Sequence, residues 1–255
     1  MGIEKNQCVV LSVMPYRESS VIVSLLSRTH GRVSGIAKGV RRKPTDPLTF
    51  ERGFMVETVL YVKPNRDLHT IGASSVTGCF PVIRSDLGKI AIRDVALEVV
   101  LRSTPVPDAH PELYDFVAAF LARLECAPAQ PLPLDEIWGF FHGWSALLGF
   151  RLVLHECVQC GKIRTPDRNA YFDAQQGGIV CSVCAGDRTS QPVFLSGKVI
   201  EHLISADEGR GRPIIGKIPP AEQMRITRLL ADFCRLHLDI RQELKTLEFI
   251  ESLFV

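Results

Sequence analysis

Residues 157–184 read CVQCGKIRTPDRNAYFDAQQGGIVCSVC, and two Cys-x2-Cys pairs stand in them with twenty residues between. Two residues between cysteines let one tight turn present both sulfurs to the same tetrahedral ion. Cys157, Cys160, Cys181 and Cys184 are therefore expected to hold one structural Zn2+. Gly161 directly follows the first pair and Gly186 follows the second by one residue, and both are expected at positive φ, where glycine is free of strain. Between the pairs, NAYFDAQQGGIVC reads as a β-hairpin, with Ala170, Tyr171 and Phe172 in one strand, the turn at Gly177-Gly178, and Ile179-Val180 leading into the second pair. Four thiolates would leave no position for a catalytic water. Iron could take the same geometry, although paired knuckles suit zinc. A redox-active reading lacks the strand-to-helix junction of a thioredoxin-like motif. His155 is assigned no role, since four cysteines already complete a shell.

On the N-terminal side of this module lie helical patterns, and before them a run of strands. From Gln7 to about Phe80 the runs CVVLSVM, VIVSLLS, RVSGIAKGV, FMVETVLYV and LHTIGAS are separated by turn signals at His30-Gly31, Pro44 to Pro47 and Pro64-Asn65, which predicts a small five-stranded barrel. After Pro81 the period changes. Asp86 is expected to cap a helix whose Ile90, Val95, Val99 and Leu101 share a face, and a second helix covers PELYDFVAAFLARL with Pro111 in its first turn. The prolines of APAQPLPL break helix, and Asp135 is a further expected N-cap, for EIWGFFHGWSALLGF. Beyond the cysteines, Ser196 is expected to cap KVIEHLIS, GRGRPIIGKIPP reads as loop, and Met224, Leu229, Leu230, Phe233 and Leu236 mark a final amphipathic helix. The expected fold class is α+β and multidomain. It comprises a barrel over 1–80, a helical domain over 81–154 and 189–255, and a four-cysteine zinc-binding insert over 155–188.

The chain has 255 residues, 46% of them hydrophobic, enough for a sizeable core. Its start lacks the pattern of a signal peptide, and the longest apolar runs, 95–101 and 144–154, fall short of the roughly 20 residues that cross a bilayer. A cytoplasmic protein without a membrane association is expected. Cys8, Cys79, Cys126 and Cys234 are scattered among apolar neighbours and are expected to be buried small hydrophobes.

Formal charge is only +2, but its distribution is uneven. Within residues 1–43, eight cations face two acids, a local net charge of +6 that leaves the rest of the chain net acidic. Arg28, Arg32, Lys38, Arg41, Arg42 and Lys43 are the candidate phosphate contacts. Arg41, Arg42 and Lys43 fall in a loop, and a basic loop on a five-stranded barrel points to nucleic acid. A solvated surface loop is the competing reading of such a run. Tyr16, Phe50, Phe54 and Tyr61 read as core before base platforms, so binding should be mainly electrostatic and weakly sequence-specific. In the last helices Arg225, Arg228, Arg235 and Arg241 could rim a groove for an acidic, apolar protein tail, or could simply form a solvated helix face.

Several of these segments together resemble the RecO recombination mediators of bacterial DNA repair, over essentially the full length. The matching residues are Tyr16-Arg17-Glu18, Thr29-His30-Gly31-Arg32 and Ala37 to Arg42 near the start, ALLGFRLVLHECVQCGK before the first knuckle, and FDAQQGGIVCSVC around the second. One departure is Val153, where the family often has proline. The resemblance implies an OB-fold barrel, a helical domain and a zinc insert. It also implies a non-catalytic activity: binding single- and double-stranded DNA, annealing complementary strands, and helping load RecA onto strands coated by single-strand-binding protein, in partnership with RecR. A cytoplasmic, nucleoid-associated location would follow. No Gly-x4-Gly-Lys, Gly-x-Ser-x-Gly or His-Glu-x2-His motif competes. Two rivals stay open at this level: a zinc-containing transcription regulator, although the insert has no evident recognition helix, and a metal-dependent nuclease whose carboxylates gather only on folding.

Overall fold

The computed structural model describes residues 3–40, 49–62, 67–104, 110–186, 192–207 and 218–253. Strands β1 (Ile3–Tyr16), β2 (Ser20–Ser27), β3 (Gly31–Ala37), β4 (Met55–Tyr61) and β5 (Leu68–Gly78) form a closed barrel in the order β1-β2-β3-β5-β4. Buried and less buried positions alternate most regularly in β3 and β4 and over the first part of β2, as the period-2 runs in the sequence lead one to expect, whereas β5 buries Ile71 alone. β1 is long enough to serve two partners: residues 3–9 pair with β4 and residues 8–16 with β2. A bulge between Val10 and Ser12 lets it bend from one neighbour to the other. The circle closes through a parallel pairing of β3 with β5, which sets Ala37 opposite Ile71. This is the OB-fold barrel that the resemblance implied.

Cys8, Val10, Val23, Leu25, Val33, Phe54, Val56, Leu60 and Ile71 fill the interior. Burial there pushes the Cys8 thiol up to about 12, so it behaves as a small hydrophobe, as expected. Cys234 is fully buried as well, and burial raises its thiol. Cys79 and Cys126 are instead exposed, a correction to their expected burial. Both sit where an element ends, just before α1 and at the last position of α3, and apolar neighbours in sequence do not bury a terminal residue.

The barrel shares a compact unit, Met1–Ala127, with α1 (Pro81–Ser85), α2 (Leu87–Ser103) and α3 (Pro111–Cys126). Strand gives way to helix at about residue 80, while the division by packing falls at 127. Asp86 caps α2 as expected, its Oδ1 accepting from the Lys89 N–H at 2.8 Å. α2 is buried on nearly every side, not along one stripe, because it packs on β1 and on both neighbouring helices. Its buried Lys89 sends Nζ to the Glu125 and Ala127 carbonyls at 3.2 and 2.5 Å, satisfying orphan acceptors at the end of α3. In return the Glu125 carboxylate accepts from the Val82 and Ile83 N–H groups, both at 2.9 Å, and so caps α1.

The second unit, Pro128–Val255, contains α4 (Leu134–Leu147), β6 (Ala170–Asp173), β7 (Gly178–Val180), α5 (Ser182–Ala185), β8 (Val193–Leu195), α6 (Gly197–Asp207), α7 (Pro220–His237) and α8 (Lys245–Ser252). Trp138, Phe140, Phe141 and Trp144 of α4 are fully buried, and α7 adds Ile226, Leu230 and Phe233. Trp138 Nε1 donates to Thr227 Oγ1 at 2.8 Å, tying α4 to α7. Ser196 caps α6 through its Oγ and the Val199 N–H, as expected. The expected cap at Asp135 is corrected: Pro133 holds the N-cap position and Asp135 lies inside the first turn, where its charge still favours the helix N-terminus. Among the described residues no helix is long and apolar enough to cross a membrane.

Candidate metal centre and nucleic-acid surface

The first knuckle is built by backbone. Gly161 N–H donates to the Cys157 carbonyl and Cys157 N–H to the Lys162 carbonyl, each at 2.9 Å, and Gly161 takes φ 68 as expected. The second knuckle is α5, a single helical turn with Cys181 at its N-cap and the Ala185 N–H donating to the Cys181 carbonyl at 2.9 Å. Gly186 ends it with φ −73, so the expectation of positive φ there is corrected. A helical second knuckle closes its turn with ordinary right-handed backbone.

The ligand atoms of Cys157, Cys160, Cys181 and Cys184 all lie within 4.8 Å of one another, and Cys160 Sγ is 3.9 Å from Cys181 Sγ. A tetrahedron with metal–sulfur bonds of about 2.3 Å has edges of about 3.8 Å. The cluster therefore has the dimensions to hold one metal ion. Burial pushes the Cys157 thiol up, but the N–H groups of Cys181, Cys160 and Gln159 outweigh it and bring it down to about 6. The Cys181 thiol is lowered chiefly by the Cys184 N–H, while a hydrogen bond to the Cys181 sulfur is the main cause that pushes Cys184 up to about 12. A bound dication favours the thiolate at every ligand and displaces the protons that the sulfurs would otherwise keep.

The hairpin that joins the knuckles is β6 and β7, with Phe172 opposite Ile179. Asp173 shapes its turn, Oδ1 accepting from the Gln175 and Gln176 N–H groups at 2.9 and 3.2 Å, and Gly177 supplies φ 72. Gly178 is needed for a different reason: a Cβ there would stand 2.4 Å from Val158 Cγ1 and 2.6 Å from the Val153 carbonyl oxygen. Val153 makes the matching contacts, its N–H donating to Gly177 and its carbonyl accepting from Ile179, at 2.9 and 2.8 Å. A proline at 153 could not donate the first of these bonds. β8 adds a third strand beside β6 that local sequence signals did not indicate. His237 of α7, whose Nε2 lies 2.9 Å from the Ala174 carbonyl, and Phe233, edge-on to Phe172, attach the hairpin to the helix.

The candidate cations do not act as one group. Arg28 forks onto Asp115 of α3, Nε and Nη2 donating to its two oxygens at 3.0 and 3.1 Å, and this partner raises the guanidinium's pKa. Arg32 Nε donates to the Thr104 carbonyl at 3.2 Å, and partial burial lowers its pKa. Both side chains thus fasten the barrel to its own helices. Lys38 is exposed at the end of β3. Arg41, Arg42 and Lys43 lie outside the described residues. The segment that follows them, 49–54, is clamped in a way the sequence did not signal. Arg52 Nη2 donates to the Asp94 carbonyl at 3.0 Å, Arg84 meets Glu51 at 3.1 Å, and Gly53 at φ 87 lies against Arg93.

Residues 1–80 match the family model described as "Recombination protein O N terminal", and residues 84–248 match "Recombination protein O C terminal". Among curated proteins the chain is similar to the DNA repair protein RecO of Prosthecochloris aestuarii, 30% identical over 92% of both chains. It is 30% identical to that of Pelobacter propionicus over 98% of this chain and 97% of the relative. With that of Myxococcus xanthus it shares 29% identity over 96% of both. The chain belongs to the recombination protein O (RecO) family.

Proposed function

We propose that this protein is a non-catalytic mediator of DNA repair and homologous recombination. On this reading it binds single- and double-stranded DNA, anneals complementary strands, and with RecR helps load RecA onto DNA coated by single-strand-binding protein. The observation that carries the reading is the closed OB-fold barrel whose β3 runs out through Lys38 into the basic run Arg41, Arg42 and Lys43. Cationic loops on such a barrel hold phosphates and leave bases free, so two complementary strands can meet on one protein without bond chemistry. Arg28 and Arg32 are given a smaller share of DNA contact, since each already has an internal partner.

The metal is proposed to be one zinc ion on Cys157, Cys160, Cys181 and Cys184. Four thiolates at tetrahedral spacing suit zinc, which would supply folding energy to the knuckles and no reactive centre. DNA binding places the protein with the nucleoid in the cytoplasm.

Strand annealing followed by fluorescence, with and without single-strand-binding protein, tests the mediator role. Acceleration on naked strands that persists on coated strands is expected. No acceleration on either substrate would contradict it.

A further inference from the structure

The outer face of the barrel is divided into a covered and an uncovered part. Val9, Leu11 and Leu26 are fully buried yet stand outside the interior cluster, on strands against which α2 and α3 pack. Further along the same strands the cover ends. Register sets Met14 beside Ile22, Ile22 beside Ile36 and Ile36 beside Thr70, so one cross-strand row runs over β1, β2, β3 and β5. These residues alternate with the interior side chains Val13, Val21, Val23 and Ala37, so the row faces outward. Met14 is 56% exposed, and Ile22 and Ile36 are half-buried. The next row inward along the strands is hydroxylic: Ser12, Ser24 and Ser34 are in register, with the Ser24 and Ser34 Oγ atoms 3.4 Å apart.

Cations border the apolar row at both of its ends. Arg17 sits in the β1–β2 turn three residues after Met14, its guanidinium 5.2 Å from the Tyr16 ring centre. Lys38 follows Ile36 by two residues at the same pole of the barrel, because the antiparallel register of β2 and β3 sets Ala37 opposite Val21. Just beyond lies a cleft of about 320 Å³ lined by Lys38, Gly39, Val40, Phe50, Gly72 and Ser74 among others.

An apolar row between cations complements a polyanion that also exposes apolar surface. A single strand presents unpaired bases beside its phosphates, whereas a duplex stacks and pairs its bases away. We infer that Met14, Ile22 and Ile36 form a platform for unpaired bases, which gives the barrel a preference for single strands that its cations alone do not supply. This rests on the DNA-binding reading above and deepens it. Aliphatic side chains hold a base less firmly than aromatic rings and without regard to its identity. Such a platform keeps a strand long enough to meet its complement and releases the product, whose bases no longer reach the row.

The test compares affinities of the full-length protein for a short oligothymidine and for a duplex of equal length, over a range of salt. Met14→Ser and the triple variant Met14→Ser, Ile22→Ser, Ile36→Ser are set beside wild type. The triple variant should lose about tenfold in single-strand affinity, with duplex affinity and the salt slope unchanged, because no phosphate contact is lost. Met14→Ser alone, at an exposed position that folding tolerates, should lose about threefold on the same substrate only. Unchanged single-strand binding in both variants would overturn the platform and leave the row as a protein-docking face. An equal loss on single strand and duplex by Met14→Ser would overturn it too. Wild-type protein that binds neither DNA would instead contradict the proposed function itself.

Discussion

The barrel and the cysteine lobe are both β structures, and they are held together by different forces. β1 alone runs for 14 residues, and the barrel encloses a continuous apolar interior from Cys8 to Ile71. The lobe's strands β6, β7 and β8 have 4, 3 and 3 residues, and nearly every position from His155 to Asn169 is exposed or half-exposed. Strands that short do not sustain themselves. A barrel that owes its shape to its core can spend its surface on a ligand. A lobe whose four sulfurs hold a metal, as proposed, has its chemistry already committed.

The largest expected effect therefore comes from the metal ligands. Cys160→Ser, or a strong chelator, should release the ion and abolish amide-exchange protection across 153–181, leaving barrel amides protected. Metal binding is worth about 10–16 kcal/mol in zinc-finger peptides. Protection retained throughout the lobe after metal loss would erase the contrast between the two regions. Next in size is Leu25→Ala in the barrel interior, which should cost about 2–5 kcal/mol in denaturant unfolding of the first unit and leave metal content unchanged. Gly178→Ala sharpens the comparison within the lobe. Its methyl has no room beside Val158 and the Val153 carbonyl, so a loss of about 1–3 kcal/mol and weaker metal retention are expected on titration with a chelator. Smallest is Asp86→Ala, which removes the α2 cap and should lower stability by about 1 kcal/mol without touching metal or DNA.

The two regions are also legible to different degrees. Knuckle spacing and strand alternation are local signals, so the four cysteines, the five barrel strands and the Asp86 and Ser196 caps can be read directly from sequence. Properties set by distant neighbours cannot. Asp115 and the Thr104 carbonyl claim Arg28 and Arg32 from 87 and 72 residues away, and nothing beside either arginine announces this. β8 acquires strand character from its pairing with β6, and the short α1 depends on Glu125 at the end of α3. Val153 is a further case: nothing beside it in sequence announces the bond it donates to Gly177.

On this account the basic run Arg41, Arg42 and Lys43 carries the DNA while the lobe serves as scaffold. That division is tested most directly by the salt dependence of oligothymidine affinity in the variant Arg41→Ala, Arg42→Ala, Lys43→Ala, measured beside Cys160→Ser. Each lost phosphate contact on a single strand removes about 0.7 from the slope, so the triple variant should flatten it by about 2, and Cys160→Ser should leave it unchanged. An unchanged slope in the triple variant, or an equal flattening in Cys160→Ser, would contradict the account.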